Sequence, residues 1–472
     1  MRKISSRSFM IFIMTVAFFA GIAYHTVNLI AHSSEWITNP MNDELPSVYG
    51  LANAGKIIDR NGVILAQSVD GKRIYNENED TRKACVHVVG DDSVNIATAI
   101  QTVHRTDLTE NKFTGNFIFG LGLPQLFKSG DSVVTVGNDI TLTIDSRLQR
   151  TALEALGSYS GAVFVYNYKT GEILCMVSTP VYDPQNVPED INTDPAYDGA
   201  YLNRALSAAY PPGSTFKLIT ANAALNEIPD IEQSLYTCTG KDQVGGHDIV
   251  CFEPNGTVDI KEALSQSCNV FFAKIAAALG KDKMTAYAER AGFNSSIKFD
   301  GIESAESVYN VSSASENELG WSGVGQYTVL ETPVNMAVIS AAIANGGAPV
   351  MPYLISSMKG MTREPAVGSA IMNKETADKI ADMMSYTVSS NYGRDYVCGA
   401  LDVCAKTGTA EVSDDGLSHA WITGFSRDED CPLAFSIILE YGNSSYSVAI
   451  PAANKVLTKA AELYKTTSPY NF

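Results

Sequence analysis

Pro211-Pro212-Gly213-Ser214-Thr215-Phe216-Lys217 is the stretch on which the reading of this 472-residue chain turns. The Pro-Pro-Gly run breaks any preceding helix, and the apolar pattern after it predicts a new one over residues 214–225. Ser214 then lies at a helix N-terminus, with Lys217 one turn later on the same face. A serine hydroxyl is a weak nucleophile until a base removes its proton. An amine can be that base only when desolvation or a nearby cation lowers its pKa. Alone, Ser-x-x-Lys is common by chance and fits an ordinary helix start with a surface lysine equally well.

Two further motifs follow. Ser267-Cys268-Asn269 falls inside residues 260–279, a run that reads as one long helix. There Ser267 can relay a proton and Asn269 can bind an amide through its donor and its acceptor. Lys406-Thr407-Gly408-Thr409 predicts an edge strand. Lys406 and the two threonine hydroxyls form a cationic site for a carboxylate. Gly408 lets a substrate backbone lie close, and the Thr409 N–H joins that of Ser214 as an oxyanion donor. Each motif is weak by itself. Their order, each on a suitable element, matches that of serine acyl-transferases that react with penicillin.

The surroundings suit such a site. Residues 161–166 and 172–178 read as strands joined by Lys169-Thr170-Gly171. Helical patterns fill 214–225, 260–279 and 333–345. Three more strands (406–412, 420–425 and 433–440) and an amphipathic helix over 452–463 close the chain. Two strands at the start and three at the end predict one five-stranded antiparallel sheet flanked by helices. Upstream, Lys56 to Ala66 pairs two apolar runs across Asn61-Gly62, a strong hairpin signal. A strand over 140–144 leads to Asp145-Ser146, which caps a helix over 147–156.

Composition narrows the partners. Hydrophobic content of 45% and charged content of 18% describe a globular chain with a sizeable core. With 34 basic against 52 acidic residues, net −18, the chain lacks the cationic excess that nucleic acid requires. Arg2, Lys3 and Arg7 precede an uncharged run, residues 9–24, that continues more weakly to Ala31. Together these predict a transmembrane anchor with the bulk of the chain outside. A cleaved signal peptide ending near Gly21 and Ala23 is the alternative. Cys238 with Cys251, and Cys398 with Cys404, are close enough in sequence to pair, or remain thiols that pack as small hydrophobes. No Cys-x-x-Cys occurs and the histidines are scattered, so neither a metal site nor a cofactor is expected.

With these residues in view, the chain resembles the class B penicillin-binding proteins, membrane-anchored D,D-transpeptidases that cross-link peptidoglycan. The likeness extends beyond the three motifs. It takes in Asp59-Arg60-Asn61-Gly62-Val63-Ile64-Leu65-Ala66, Leu142-Thr143-Ile144-Asp145 and Asn203-Arg204-Ala205. It also takes in Gly325-Gln326 with Thr332-Pro333, and His419-Ala420-Trp421 with Gly424. The resemblance implies a penicillin-binding, serine β-lactamase-like transpeptidase domain of α/β (α+β) class over 146–472. Before it come a cytoplasmic tail (1–8), an anchor (9–31), a linker (32–51) and a small α+β module (52–145).

Carried over by residue, it implies Ser214 as nucleophile, Lys217 as base and Ser267 as proton shuttle. Asn269, Lys406, Thr407, Gly408 and Thr409 would bind a stem peptide ending in D-Ala-D-Ala, or a β-lactam antibiotic. The family commonly works beside a membrane glycosyltransferase of the SEDS type. A hydrolytic D,D-carboxypeptidase or β-lactamase would use the same serine. A non-catalytic scaffold or β-lactam sensor would need only docking or acylation.

Overall fold

The computed structural model describes residues 6–31, 50–109, 137–360, 363–412 and 416–465. The expected linker falls almost wholly outside these residues, as do 110–136 of the expected N-terminal module. The chain divides into two units. The smaller takes in residues 1–56, 67–74 and 104–138, and the larger takes in 57–66, 75–103 and 139–472.

In the smaller unit, helix α1 (Ser6–Ala31) spans 26 residues. Its described side chains from Phe9 to Ile22 include Met10, Ile11, Phe12 and Phe18, all exposed. Among the described residues, no helix is long and apolar enough to cross a membrane. The anchor expected from sequence therefore stays an inference from sequence. Elsewhere in this unit, the Arg73 guanidinium donates to the carbonyls of Ala54 and Gly55, at 3.3 and 2.8 Å.

The larger unit begins with the expected hairpin. Strand β1 (Ile57–Ile58) pairs antiparallel with residues 64–66 of strand β2 (Ile64–Val69), the part of that strand within this unit. The Asp59 carboxylate closes the turn, accepting from the N–H groups of Asn61 and Val63. It also accepts from the Ser146 hydroxyl at 2.7 Å. Strand β3 (Ile140–Leu142) runs parallel to β1, and helix α2 (Ser146–Leu156) follows under an Asp145 cap.

Strands β4 (Gly161–Asn167) and β5 (Ile173–Thr179) form the next hairpin. Helices α3 (Lys217–Glu227), α4 (Ile260–Ser265), α5 (Asn269–Arg290), α6 (Pro333–Ala344) and α7 (Lys374–Thr387) fill the middle. Strands β6 (Val403–Glu411), β7 (Ser418–Ser426) and β8 (Leu433–Leu439) and helix α8 (Ile450–Tyr464) end it. The order β6-β7-β8-β4-β5 is antiparallel throughout, as expected.

Every residue of β5, β7 and β8 is buried, because helices cover both faces of the sheet. On one face Val163, Val165, Ile422, Phe435 and Ile437 pack with Leu148 of α2 and Val456 of α8 in one apolar cluster. On the other, Ser340 of α6 meets Thr423 of β7 through their hydroxyls at 2.7 Å. The sheet thereby holds β6 as a rigid edge, and α3 and the start of α5 meet near it.

Candidate active site

The nucleophile motif enters its helix by one tight turn. Gly213–Thr215 makes a single 3-10 turn and the α-helix starts at Lys217, three residues later than the apolar pattern predicts. Gly213 is the reason: its φ is +54°, and a Cβ there would lie 2.6 Å from the carbonyl oxygen of Thr409. Its N–H donates to Gly325 at 3.0 Å. The backbone of Thr409 thus lies against the residue just before Ser214. Ser214 is half-buried and Lys217 wholly buried.

The second motif departs from the single helix expected over 260–279. α4 ends at Ser265, Ser267 has φ +58°, and α5 restarts at Asn269. No glycine or proline marks this break, and a serine in the left-handed region costs roughly 1–3 kcal/mol. The break has a use. It frees the Ser267 carbonyl, which a continuous helix would hold internally, to accept from Lys217 Nζ at 2.6 Å. The same amine lies 3.0 Å from Ser214 Oγ, 3.2 Å from Ser267 Oγ and 2.7 Å from Asn269 Oδ1.

The third motif is on the edge strand, as expected. Lys406, Gly408 and Ala410 turn inward, while Thr407 is half-buried and Thr409 exposed. The Lys406 ammonium donates to Ser267 Oγ at 3.1 Å and to the Thr407 carbonyl at 2.9 Å. Gly408 is glycine for a different reason from the one expected. A Cβ there would meet the Pro212 carbonyl at 2.5 Å and Thr215 at 3.0 Å, so the space is taken by the nucleophile's own loop. Two residues that sequence did not flag complete the strand's outer face. Tyr392 bonds Thr407, and Ser445 donates to the Gly408 carbonyl at 2.6 Å and lies 3.0 Å from Thr409 Oγ1. Both sit in polar stretches outside the motifs, and nothing in their spacing announces them.

The amines form a chain: Ser214 Oγ, Lys217 Nζ, Ser267 Oγ, Lys406 Nζ. Burial pushes Lys217 down to about 7, against a small upward pull from the Cys268 and Cys251 thiols. Burial, then the charge of Lys217, push Lys406 well below the ordinary lysine range. A neutral Lys217 has two N–H donors, and Ser267 O and Asn269 Oδ1 are two oxygens that can only accept. Its lone pair is then left for the Ser214 proton. Asn269 is fixed in turn by donating to the Val250 carbonyl at 2.8 Å.

Cys238 and Cys251 come together as expected, but as thiols, with sulfurs 3.7 Å apart. Cys268 joins them, 3.7 Å from Cys251. The second expected pair does not meet: Cys398 contacts Thr458, and both it and Cys404 are free. Three thiols whose sulfurs lie within 4.8 Å could hold a soft cation. The sulfurs come from a strand end, a loop and a helix N-cap spaced 13 and 17 residues apart, so no local Cys-x-x-Cys marks them.

Comparison with known proteins places the chain in one family. The family model of the penicillin binding protein transpeptidase domain matches residues 161–458. Peptidoglycan D,D-transpeptidase PbpA of Mycolicibacterium smegmatis is 30% identical over 372 residues, covering 70% of this chain and 72% of that protein. Peptidoglycan D,D-transpeptidase MrdA of Acinetobacter baumannii is 27% identical over 355 residues, covering 67% and 53%. Penicillin-binding protein A from M. tuberculosis, solved as a ceftriaxone acyl-enzyme complex, superposes with TM-score 0.75 at 27% identity. That match covers 87% of this chain and 99% of the solved one.

Proposed function

The chain belongs to the penicillin-binding protein transpeptidase family, and from that premise we propose that Ser214 forms an acyl-enzyme with the stem peptides of peptidoglycan. It is a peptidoglycan D,D-transpeptidase of that family. One observation carries the assignment of roles: a single buried amine, Lys217, touches Ser214 Oγ, both oxygens of Ser267 and Asn269 Oδ1.

Neutral Lys217 takes the Ser214 proton as Oγ attacks the carbonyl between the two terminal D-Ala residues. The N–H groups of Ser214 and Thr409 face the developing oxyanion. The proton passes through Ser267 to the departing D-Ala amine as the peptide bond breaks. An amine of a second stem peptide then attacks the ester and restores the Ser214 hydroxyl. A β-lactam ring amide opens by the same attack and stays on the serine.

Asn269 holds the donor peptide's amide. Thr407 and Thr409 bind the terminal carboxylate, with Gly408 keeping the strand against the nucleophile loop. Lys406 points inward, so its part is electrostatic. A bound carboxylate favours its charged form, and that charge lowers the pKa of Lys217 further. Substrate binding thereby readies the base.

The uncharged run over residues 9–24, preceded by Arg2, Lys3 and Arg7, supports a membrane anchor with the transpeptidase domain outside. A membrane glycosyltransferase of the SEDS type is the partner such an anchor would suit, and this rests on the family resemblance alone.

Intact-mass spectrometry over a time course with benzylpenicillin, beside Ser214→Ala, tests the assignment. A lasting one-to-one adduct on Ser214, absent from the variant, is expected. An adduct that disappears as the drug is consumed would make the protein a hydrolase. No adduct at all would make it a scaffold.

A further inference from the structure

Tyr392 lies outside the three motifs, 14 residues before Lys406 (406 − 392). It ends the turn Val388–Tyr392 that follows α7. Its ring is 7% exposed and packs in the main apolar cluster with Val388, Val397, Leu401 and Val403. Only the hydroxyl leaves that core, and it reaches the carboxylate strand. The Thr407 N–H donates to the Tyr392 oxygen at 3.0 Å, and the two hydroxyls lie 2.7 Å apart. The same turn is tied to the helix before Ser267. Asn391 Nδ2 donates to the Ser265 carbonyl at 2.7 Å, and Ser390 Oγ lies 3.1 Å from Ser265 Oγ. A single short segment therefore braces the second and third motifs.

The proton inventory fixes what Tyr392 does. A phenol gives up its proton more readily than an alkyl hydroxyl, so between the two oxygens Tyr392 is the donor and Thr407 the acceptor. Thr407 then keeps its own proton for a further acceptor on its half-exposed side. A carboxylate accepts there, whereas a neutral ester binds such a donor far more weakly.

Resting on the transpeptidase reading above, we propose that Tyr392 is a positioning residue of the carboxylate site. It orients the Thr407 hydroxyl so that its proton points at the substrate's terminal carboxylate.

The test measures second-order acylation constants of the full chain with benzylpenicillin and with its uncharged methyl ester. In Tyr392→Phe, which keeps the packed ring, the constant for benzylpenicillin is expected to fall roughly tenfold, about one charge-assisted hydrogen bond. The constant for the ester should change by less than about twofold, while the thermal midpoint falls modestly because the Thr407 N–H loses its acceptor. Equal losses for the two compounds, or no loss for either, overturn the proposal. Thr407→Val supplies a second arm. On that background Tyr392→Phe should add no further discrimination, and a full additional loss would show that Tyr392 does not act through Thr407. Failure of the wild-type chain to be acylated by either compound would instead overturn the parent reading, and this assignment with it.

Discussion

The larger unit buries cations in two different ways. Arg204 donates to Glu440 at 2.7 Å, and the Tyr210 hydroxyl donates to the same carboxylate oxygen at 2.8 Å. Arg82 forms a two-pronged pair with Asp183, at 2.7 and 2.6 Å. These charges are matched, and their surroundings keep them charged. Burial alone would raise the Asp183 carboxyl, but the Arg82 guanidinium and the Gln185 N–H outweigh it and hold it at about 2. Lys217 and Lys406 are buried more deeply still, yet among the described residues their hydrogen bonds go to neutral oxygens alone, with the Phe272 ring 5.8 Å from the Lys217 amine. Their ammonium forms are destabilised, and that is what makes one of them a base. The matched pairs serve stability, and the unmatched pair trades stability for chemistry.

The largest expected effect breaks the unmatched pair. Lys217→Met should lower the acylation constant by roughly 10³-fold or more, the loss of a general base. Its thermal midpoint at pH 7 should shift only slightly, because relief of a buried cation offsets the donors lost to the Ser267 carbonyl and Asn269 Oδ1. A collapse of the midpoint would mean that Lys217 is structural, and the contrast would fail.

Arg204→Ala should show the opposite. Leaving Glu440 without its cation costs about 3 kcal/mol, read as a lowered midpoint in thermal unfolding. Acylation of the folded fraction should stay within about threefold.

The two kinds of site also part company in their pH dependence. Lys217, lowered to about 7, accepts a proton only when neutral. The acylation constant should therefore fall about tenfold per pH unit below that value and level off above it. The contribution of Asp183 to stability has the other sign. Its carboxyl titrates lower in the folded state, so the contribution is full above the ordinary Asp value and is lost as pH falls towards 2. A flat rate profile from pH 5 to 8 would remove the base assignment and leave the ion pairs untouched.

The smallest effect concerns Glu331, a fully buried acid whose pKa burial pushes well up, against one hydrogen bond from Asn335. Among the described residues, its second carboxyl oxygen has no hydrogen-bond partner. The folded state thus binds a proton that the unfolded chain releases above the ordinary Glu value, and stability falls with rising pH. Glu331→Gln should flatten that decline in chemical denaturation at pH 6 to 9. An unchanged slope would place the source elsewhere.

Much of this was open to reading from residues alone. Alternating apolar runs beside Asn61-Gly62 and Lys169-Thr170-Gly171 gave both hairpins, and the two-then-three grouping of strands gave the sheet. The helix break at Gln266-Ser267-Cys268 was closed to such reading. Its residues carry no breaker, and what favours it is an amine fifty positions upstream in sequence, Lys217 (267 − 217). Tyr392, Ser445 and the joining of Cys268 to the Cys238–Cys251 pair were hidden for the same reason, since each depends on neighbours from other segments. Gly408 was read correctly as a close-approach glycine, but the group that approaches it is the Pro212 carbonyl.

The sequence by itself determined the order of the elements, the five-strand sheet, and the identities of a nucleophile, two amines and a hydroxyl-bearing strand. Those follow from local physics: hydrophobic period, turn chemistry and the reactivity of a side chain. Only the tertiary structure decided that Lys217 is dry, that Ser267 bends out of a helix to receive it, and that Lys406 faces inward. A pKa is set by the groups packed around an atom, and packing joins residues that the chain keeps far apart.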